Sequence, residues 1–392
     1  MLSNKRPKHV ASRSYDFLFI YSSIPIYSNG YVLKHLNFLA KELSKRGYVV
    51  GLELAPLHSA KIAFGEFKKG RTSLRAFAFA LINNIFFFTR LTFIVSTWVL
   101  STFINDFKWE WNDKSDIILG HERSLPNAKR FVVNSWEAAD FLVNKELNAP
   151  CYYIIYHNHE NDYPGMEGIV SSTYKAAFNK IVTTEPIRSK FNLDKEFKMR
   201  VALDPNKIRV SNNVSRKHNS VLIPLRSGNI KGSDYAIKAM NIVLEKNSDI
   251  IFYAFGNLSF KSDNSRIIFF GRVSDEKLLE LYHQCEIFVL PSIEDGIPGP
   301  ALEAMLNGCA PICTDVSGAS EIIENGKNGI IVPTKNEKAL ADAILFLNSN
   351  PEMISRFRIE NTKLISKFTP ESMCDSFLEC IYAYESESNA PR

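Results

Sequence analysis

Asp295 and Glu303 stand eight positions apart in SIEDGIPGPALEAM (292–305), across a loop of small and rigid residues, Gly296, Ile297, Pro298, Gly299 and Pro300. Glycine lets a backbone approach a ligand closely or take positive φ. Pro300 suits the first position of a helix, where its missing N–H costs nothing. The stretch is therefore expected to turn tightly and start a helix, with Glu303 in the first turn and Asp295 just ahead of it. Free N–H groups at such a helix start attract anions. A second pair lies in LRSGNIKGSDYAIKAM (225–240), where Arg226 and Lys231 stand five apart around Gly228 and Gly232. An arginine and a lysine on a glycine-loosened turn at a helix start make a cradle for a diphosphate. Each group also has a plainer reading. The basic turn could be a solvated loop, Glu303 could stabilise its own helix through the dipole, and Asp295 could cap a turn.

The elements that must position these residues are short apolar strands alternating with helical patterns, the signature of parallel α/β layers. In the first half YDFLFIYSS (15–23) reads as a buried strand. Val32, Leu36, Leu39 and Leu43 then repeat at helical spacing, Gly47 stops the helix, and YVVGLEL (48–54) is the next strand. DIILG (116–120), RFVVNS (130–135), YYIIYH (152–157) and KIVTT (180–184) follow. A denser series comes after the polar stretch SNNVSRKHNS (211–220): VLIPL (221–225), IIFYAFG (250–256), RIIFFG (266–271), IFVLPS (287–292), APICTD (310–315) and GIIVP (329–333). The stretch 211–220 is expected to link two domains, 1–210 and 211–369, with a last helix from Pro370 and a tail ending at residue 392. Ligands of parallel sheets bind beyond the carboxyl ends of the strands. Arg226, Lys231, Asp295 and Glu303 all follow strands of the second domain and should converge there.

A chain of 392 residues suits two cores rather than one, and 45% hydrophobic with 23% charged residues is the balance of a folded, soluble protein. The net charge of +5 fits a phosphate-bearing partner or an anionic membrane surface, and does not indicate a nucleic-acid binder. Cysteines 151, 285, 309, 313, 374 and 380 lie scattered, mostly in apolar runs, as reduced packed thiols do in a cytoplasmic protein. Cys309 and Cys313 have neither a second pair nor a His cluster to complete a zinc site. The polar, basic start MLSNKRPKHVASRS is not a secretory signal. Residues 76–104 are strongly apolar and preceded by Lys68, Lys69, Arg71 and Arg75, but Arg90 leaves a charge-free run of only 14 residues. A spanning helix needs about 20. Burial inside the protein and peripheral docking on one leaflet, with the basic flank on lipid headgroups, are the two readings that fit.

In its second half the sequence resembles the family-4 retaining glycosyltransferases of the GT-B fold, the group 1 glycosyl transferases. Their acidic residue, seven others, then Glu stands here in DGIPGPALEAMLNGCAPI (295–312). GRVSDEKLLELYHQCEIFVLPS (271–292) and DVSGASEIIENGKNGIIVPTKNEKALADAI (315–344) lie around it in the family's order and spacing. Arg226 and Lys231 match its G-R-x-x-x-x-K-G phosphate clamp, with Leu225 replacing the first glycine. The first half matches more loosely. IYSSIPIYSNGYVLKHLNFLAKELSKRGYVV (20–50) resembles the opening strand, glycine loop and helix, with only Gly30 where a glycine pair is common. FVVNSWEAADFLVNKELNAPCYYIIYHNHENDY (131–163) looks like members that build bacterial surface polysaccharides. Its His157 falls near a position where many members place a cleft histidine, although a strand-end histidine also has a structural reading.

The resemblance implies two Rossmann-like domains facing a cleft, the first for an acceptor and the second for a nucleotide sugar, with the last helix crossing back to the first domain. The implied reaction moves a sugar, with retention, from a UDP- or GDP-linked donor to a glycan or lipid-linked acceptor, in the cytoplasm or at the inner face of the membrane. Arg226 and Lys231 would take the diphosphate, helped by the loops at Gly30 and Gly296. Glu303 would take the ribose hydroxyls, Asp295 (commonly a glutamate in the family) the donor sugar, and the loop Gly271-Arg272-Val273 the base through its backbone. Amides of the loop carrying Gly296, Ile297 and Pro298 would face the diphosphate. No cofactor or metal is implied: the chain lacks the D-x-D of metal-dependent glycosyltransferases, and Glu160-Asn161-Asp162 is its nearest imitation. A dinucleotide-dependent oxidoreductase would want G-x-G-x-x-G after the first strand, where YSSIPIYSNG has one glycine. A sugar-nucleotide epimerase on the same fold and a catalytically silent binding subunit are the rival functions.

Overall fold

The computed structural model describes residues 14–21, 31–54, 115–119, 125–156, 158, 160, 167–208 and 216–389. The chain divides into two compact units: Met1–Val182 with Asp194–Met199 and Cys374–Arg392, and Thr183–Leu193 with Arg200–Met373.

The first unit is built on a six-stranded sheet. Its strands are β1 (Phe17–Tyr21), β2 (Val50–Leu54), β3 (Ser115–Leu119), β4 (Phe131–Val133), β5 (Cys151–Ile155) and β6 (Asn179–Val182), in the order β3-β2-β1-β4-β5-β6. Every pairing is parallel. Phe17 to Ile20 and Phe131 to Val133 are continuous apolar runs, and all are buried, as strands covered on both faces must be. The helix Tyr31–Lys45 lays Leu36, Leu39 and Leu43 into this core at the spacing expected. The closing helix Pro370–Asn389 joins this unit from Cys374 onward. Phe377 packs beside Phe17 (5.8 Å between ring centres), and Glu385 takes the Arg130 guanidinium in a fork at 2.7 and 3.1 Å.

The second unit repeats the plan with β7 (Ser220–Pro224), β8 (Ile251–Phe255), β9 (Ile267–Phe269), β10 (Ile287–Leu290), β11 (Ala310–Thr314) and β12 (Ile330–Val332), ordered β12-β11-β10-β7-β8-β9 and wholly parallel. Val221, Ile223, Phe252, Val289 and Ile312 bury against Ala236, Met240 and Val243 of the helix Ser233–Lys246 and against Leu340 and Ile344 of the helix Glu337–Asn348. In both sheets the strand order runs outward one way, returns to the centre and runs outward the other way. This is the doubly wound dinucleotide-fold order, whose ligand crevice opens where the direction reverses. In the second unit that point lies between β7 and β10.

The unit boundaries differ from the expected break at 210/211. Residues 200–208 already belong to the second unit, where the Leu203 N–H donates to the Phe368 carbonyl at 2.8 Å. The helix Glu185–Lys190 belongs there too, tied by the Glu185 N–H to the Glu321 carboxylate. Within the polar stretch expected as a linker, Arg216 donates to the carbonyls of Tyr282 and Cys285 at 2.6 and 2.5 Å. Residues 68–104 lie outside the described residues. Among the described residues no helix is long and apolar enough to cross a membrane.

Candidate active site

Arg226 leaves the end of β7, and its position is set by its own turn. Its N–H donates to Ser233 Oγ at 2.8 Å, and Ser233 Oγ donates back to its carbonyl at 2.7 Å, closing the loop 226–233 onto the start of the helix Ser233–Lys246. Gly232 makes this possible. Its φ is +67°, and a β-carbon there would lie 1.7 Å from the Pro291 carbonyl oxygen. The loop after β10 is fixed to the same turn, because the Ile293 N–H donates to the Ile230 carbonyl at 2.8 Å. Two loops from the two central strands thus form one piece at the reversal point.

The charged groups meet on that piece. Arg226 Nη2 donates to Ser292 Oγ at 3.5 Å, Ser292 Oγ donates to Asp295 Oδ2 at 3.3 Å, and Lys231 Nζ lies 3.7 Å from the same Oδ2. Arg226 Nε is buried and has no hydrogen-bond partner among the described residues. Burial pulls the Arg226 guanidinium below its ordinary value and the Asp295 carboxylate pulls it back; an arginine stays charged through such shifts. A buried donor left without an acceptor on a cation costs free energy. From β11, Ser317 Oγ donates to the Asp295 carbonyl at 2.8 Å. Gly318 lets that segment close in, since a β-carbon on it would sit 2.3 Å from the Gly296 carbonyl oxygen.

Glu303 lies on the helix Gly299–Leu306, whose N-cap is Pro298. It is the fifth helical residue, so the expectation of a first-turn glutamate is corrected: the helix starts one residue ahead of Pro300. The dipole's influence fades beyond the first turn, which weakens the helix-stabilising reading. Glu303 has side-chain partners instead. Tyr282 Oη donates to its Oε2 at 3.3 Å, and Lys207 Nζ stands 3.8 Å from its Oε1 and 2.8 Å from Asp275 Oδ1. Burial and the Glu303 carboxylate push the Tyr282 hydroxyl well up, so it serves as a proton donor. Burial lowers the Lys207 ammonium, but Glu303 and Asp275 outweigh it and leave it raised. Glu303, Tyr282, Lys207, Asp275 and Leu279 line a pocket of about 210 Å³.

The other expected site residues divide. In the loop 296–300 the Gly299 N–H is taken by the Ile297 carbonyl at 2.8 Å, Pro298 and Pro300 have no N–H, and the Gly296 and Ile297 amides donate to no backbone carbonyl among the described residues. Arg272 is exposed just after β9, an edge strand two places from β7. The residues Gly30, His157 and Asp162 lie outside the described residues. Cys309 and Cys313 are buried free thiols; Cys309 donates to the Tyr282 carbonyl at 3.1 Å, and burial raises its pKa to about 11. Sequence reasoning missed Ser292, Ser233, Lys207 and Tyr282. For Ser292 a signal existed, since it ends the strand run IFVLPS beside Pro291.

Two sheets of this order in one chain fit the GT-B fold, and a solved structure agrees. The structure of Anabaena HepE in complex with UDP and glucose superposes with a TM-score of 0.65 over 94% of this chain and 100% of that one, at 13% identity. Residues 204–364 match the family model of glycosyl transferases group 1. Over those residues the second unit is similar to that family, and the likeness to HepE shows the GT-B fold. Curated relatives match over shorter stretches. One is the Campylobacter jejuni N,N'-diacetylbacillosaminyl-diphospho-undecaprenol α-1,3-N-acetylgalactosaminyltransferase, 38% identical over 85 residues, 22% of each chain. Another is the Staphylococcus aureus capsular polysaccharide biosynthesis glycosyltransferase CapM, 27% identical over 169 residues, 38% of this chain and 44% of the relative. The matches therefore span less than half the length of these relatives.

Proposed function

We propose that the protein is a retaining glycosyltransferase that moves a sugar from a nucleoside diphosphate donor to a hydroxyl of a glycan or lipid-linked acceptor, in polysaccharide or glycolipid biosynthesis. The observation that carries this reading is Arg226: a partly buried guanidinium whose buried Nε has no partner among the described residues, at the reversal point of a dinucleotide-type sheet, beside Lys231. A diphosphate would supply acceptor oxygens to this cation. As the bond from the sugar C1 to the diphosphate breaks, negative charge grows on the leaving oxygen. The Arg226 and Lys231 cations and the Gly296 and Ile297 amides would stabilise it, the contribution that usually dominates such catalysis. The acceptor oxygen bonds to C1 on the face the diphosphate leaves, and its proton departs with the basic diphosphate. Glu303 accepts from the ribose hydroxyls and Asp295 from the sugar.

The relatives support the substrate classes. The Campylobacter jejuni protein acts on a lipid-linked sugar, CapM serves capsular polysaccharide, and HepE was solved with UDP and glucose. A site at the inner face of the cell membrane would suit a lipid-linked acceptor. The test is release of free UDP or GDP from a panel of nucleotide sugars, with and without undecaprenyl-diphospho-sugar acceptors, followed by the anomeric configuration of the product. Acceptor-dependent release with retention is expected. Tight donor binding without release would favour the silent subunit, and release of an epimerised sugar nucleotide the epimerase.

A further inference from the structure

We propose that Ser292 is a positioning residue that couples the diphosphate-binding Arg226 to the sugar-binding Asp295. The proposal rests on the transferase reading above. Ser292 is 0% exposed and its hydroxyl stands between the two charges, accepting from Arg226 Nη2 at 3.5 Å and donating to Asp295 Oδ2 at 3.3 Å. No direct ion pair joins Arg226 and Asp295 among the described residues; the pair nearest to it is Lys231 with Asp295 Oδ2. One hydroxyl carries one proton, so accepting from the arginine fixes the direction in which it donates, and that direction is Asp295. Bonds of this kind commonly shorten when substrate binds.

The serine is itself held. β10 ends at Leu290, and Pro291, which has no N–H, takes the chain out of the sheet. Thr314 Oγ1 donates to the Ser292 carbonyl, with the Leu290 carbonyl 3.3 Å away, which ties the serine to β11. Pro291 also packs its carbonyl against Gly232, the residue that shapes the turn of Arg226 and Lys231. Ser292 therefore has a fixed backbone, no solvent and two charged neighbours with defined donor and acceptor roles. The consequence is that diphosphate drawn to Arg226 orients the carboxylate that receives the sugar, so both halves of the donor are recognised through one hydroxyl.

A double-mutant cycle tests this, with calorimetric affinities for UDP-glucose and GDP-mannose as donor probes. Ser292→Ala should weaken whichever donor the wild type binds by roughly tenfold, the scale of one hydrogen bond to a charged group. In an Asp295→Ala background the same change should cost less than about twofold, because coupled residues are not additive. An equal loss in both backgrounds would overturn the proposal and make Ser292 a packing residue only, as would no loss in the first. Thermal melts check folding; if Ser292→Ala does not fold, Ser292→Cys replaces it with the same expectations. A wild type that binds neither these donors nor bare UDP or GDP would instead remove the transferase reading, and this inference with it.

Discussion

Asp295 and Glu303 are both carboxylates on one loop and helix, yet their surroundings assign them different work. Asp295 faces Lys231 and, through Ser292, Arg226, whereas Glu303 faces Tyr282 and Lys207. Glu303→Ala is expected to weaken both a bound nucleotide sugar and the bare nucleoside diphosphate, since on the proposed reading it takes the ribose. Asp295→Ala should weaken the nucleotide sugar and leave the bare nucleoside diphosphate nearly unchanged. A hydrogen bond to a charged group is worth about 1.5–3 kcal/mol, or about 10- to 150-fold in affinity, which calorimetry resolves. Equal weakening of the bare nucleotide by both variants would refute the division. The types and spacing of these acids were legible in the sequence. Their partners were not: Tyr282 lies 21 positions before Glu303 on another helix, and no local pattern announces such a pairing.

Elements hold these side chains through close backbone contacts, and Gly232 is the clearest case. Gly232→Ala would place a β-carbon at 1.7 Å from the Pro291 carbonyl oxygen in a left-handed conformation. A loss of about 1–3 kcal/mol is expected from backbone strain alone. A denaturant melt of the variant showing no change from wild type would mean that the two loops are not fixed to each other as described. Sequence reading recovered the strands because both faces of a parallel sheet are buried, so each appears as an apolar run. It misplaced their ends for the same reason. IFVLPS looks uniform as far as Ser292, but pairing stops at Leu290, before a proline that cannot donate to the ladder. The start of the helix Gly299–Leu306 was missed by one residue, since Pro298 and Pro300 both suit a helix entrance.

At the scale of the whole molecule, the alternation of strand and helix made two doubly wound units legible, while their exact membership was not. The helix Glu185–Lys190 and residues 200–208 belong to the second unit through hydrogen bonds to residues far along the chain. Residues 68–104, outside the described residues, carry the one expectation that concerns a partner surface. Their basic cluster beside an apolar run too short to span predicts reversible binding to anionic membranes. Sedimentation with vesicles containing phosphatidylglycerol should pull the protein down at low salt and release it at high salt. No binding at low salt would return this segment to the interior of the protein.

On the proposed reading Arg226 and its neighbours hold the diphosphate of a nucleotide without a metal ion. Calorimetric titration of UDP and GDP, in EDTA, into the wild type and Arg226→Ala tests it most directly. One of the two nucleotides should bind the wild type with chelator present, and Arg226→Ala should bind it at least about tenfold more weakly, the scale of a lost charge-assisted hydrogen bond. Binding that vanishes in EDTA and returns with manganese, or an Arg226→Ala variant as tight as the wild type, would contradict the account.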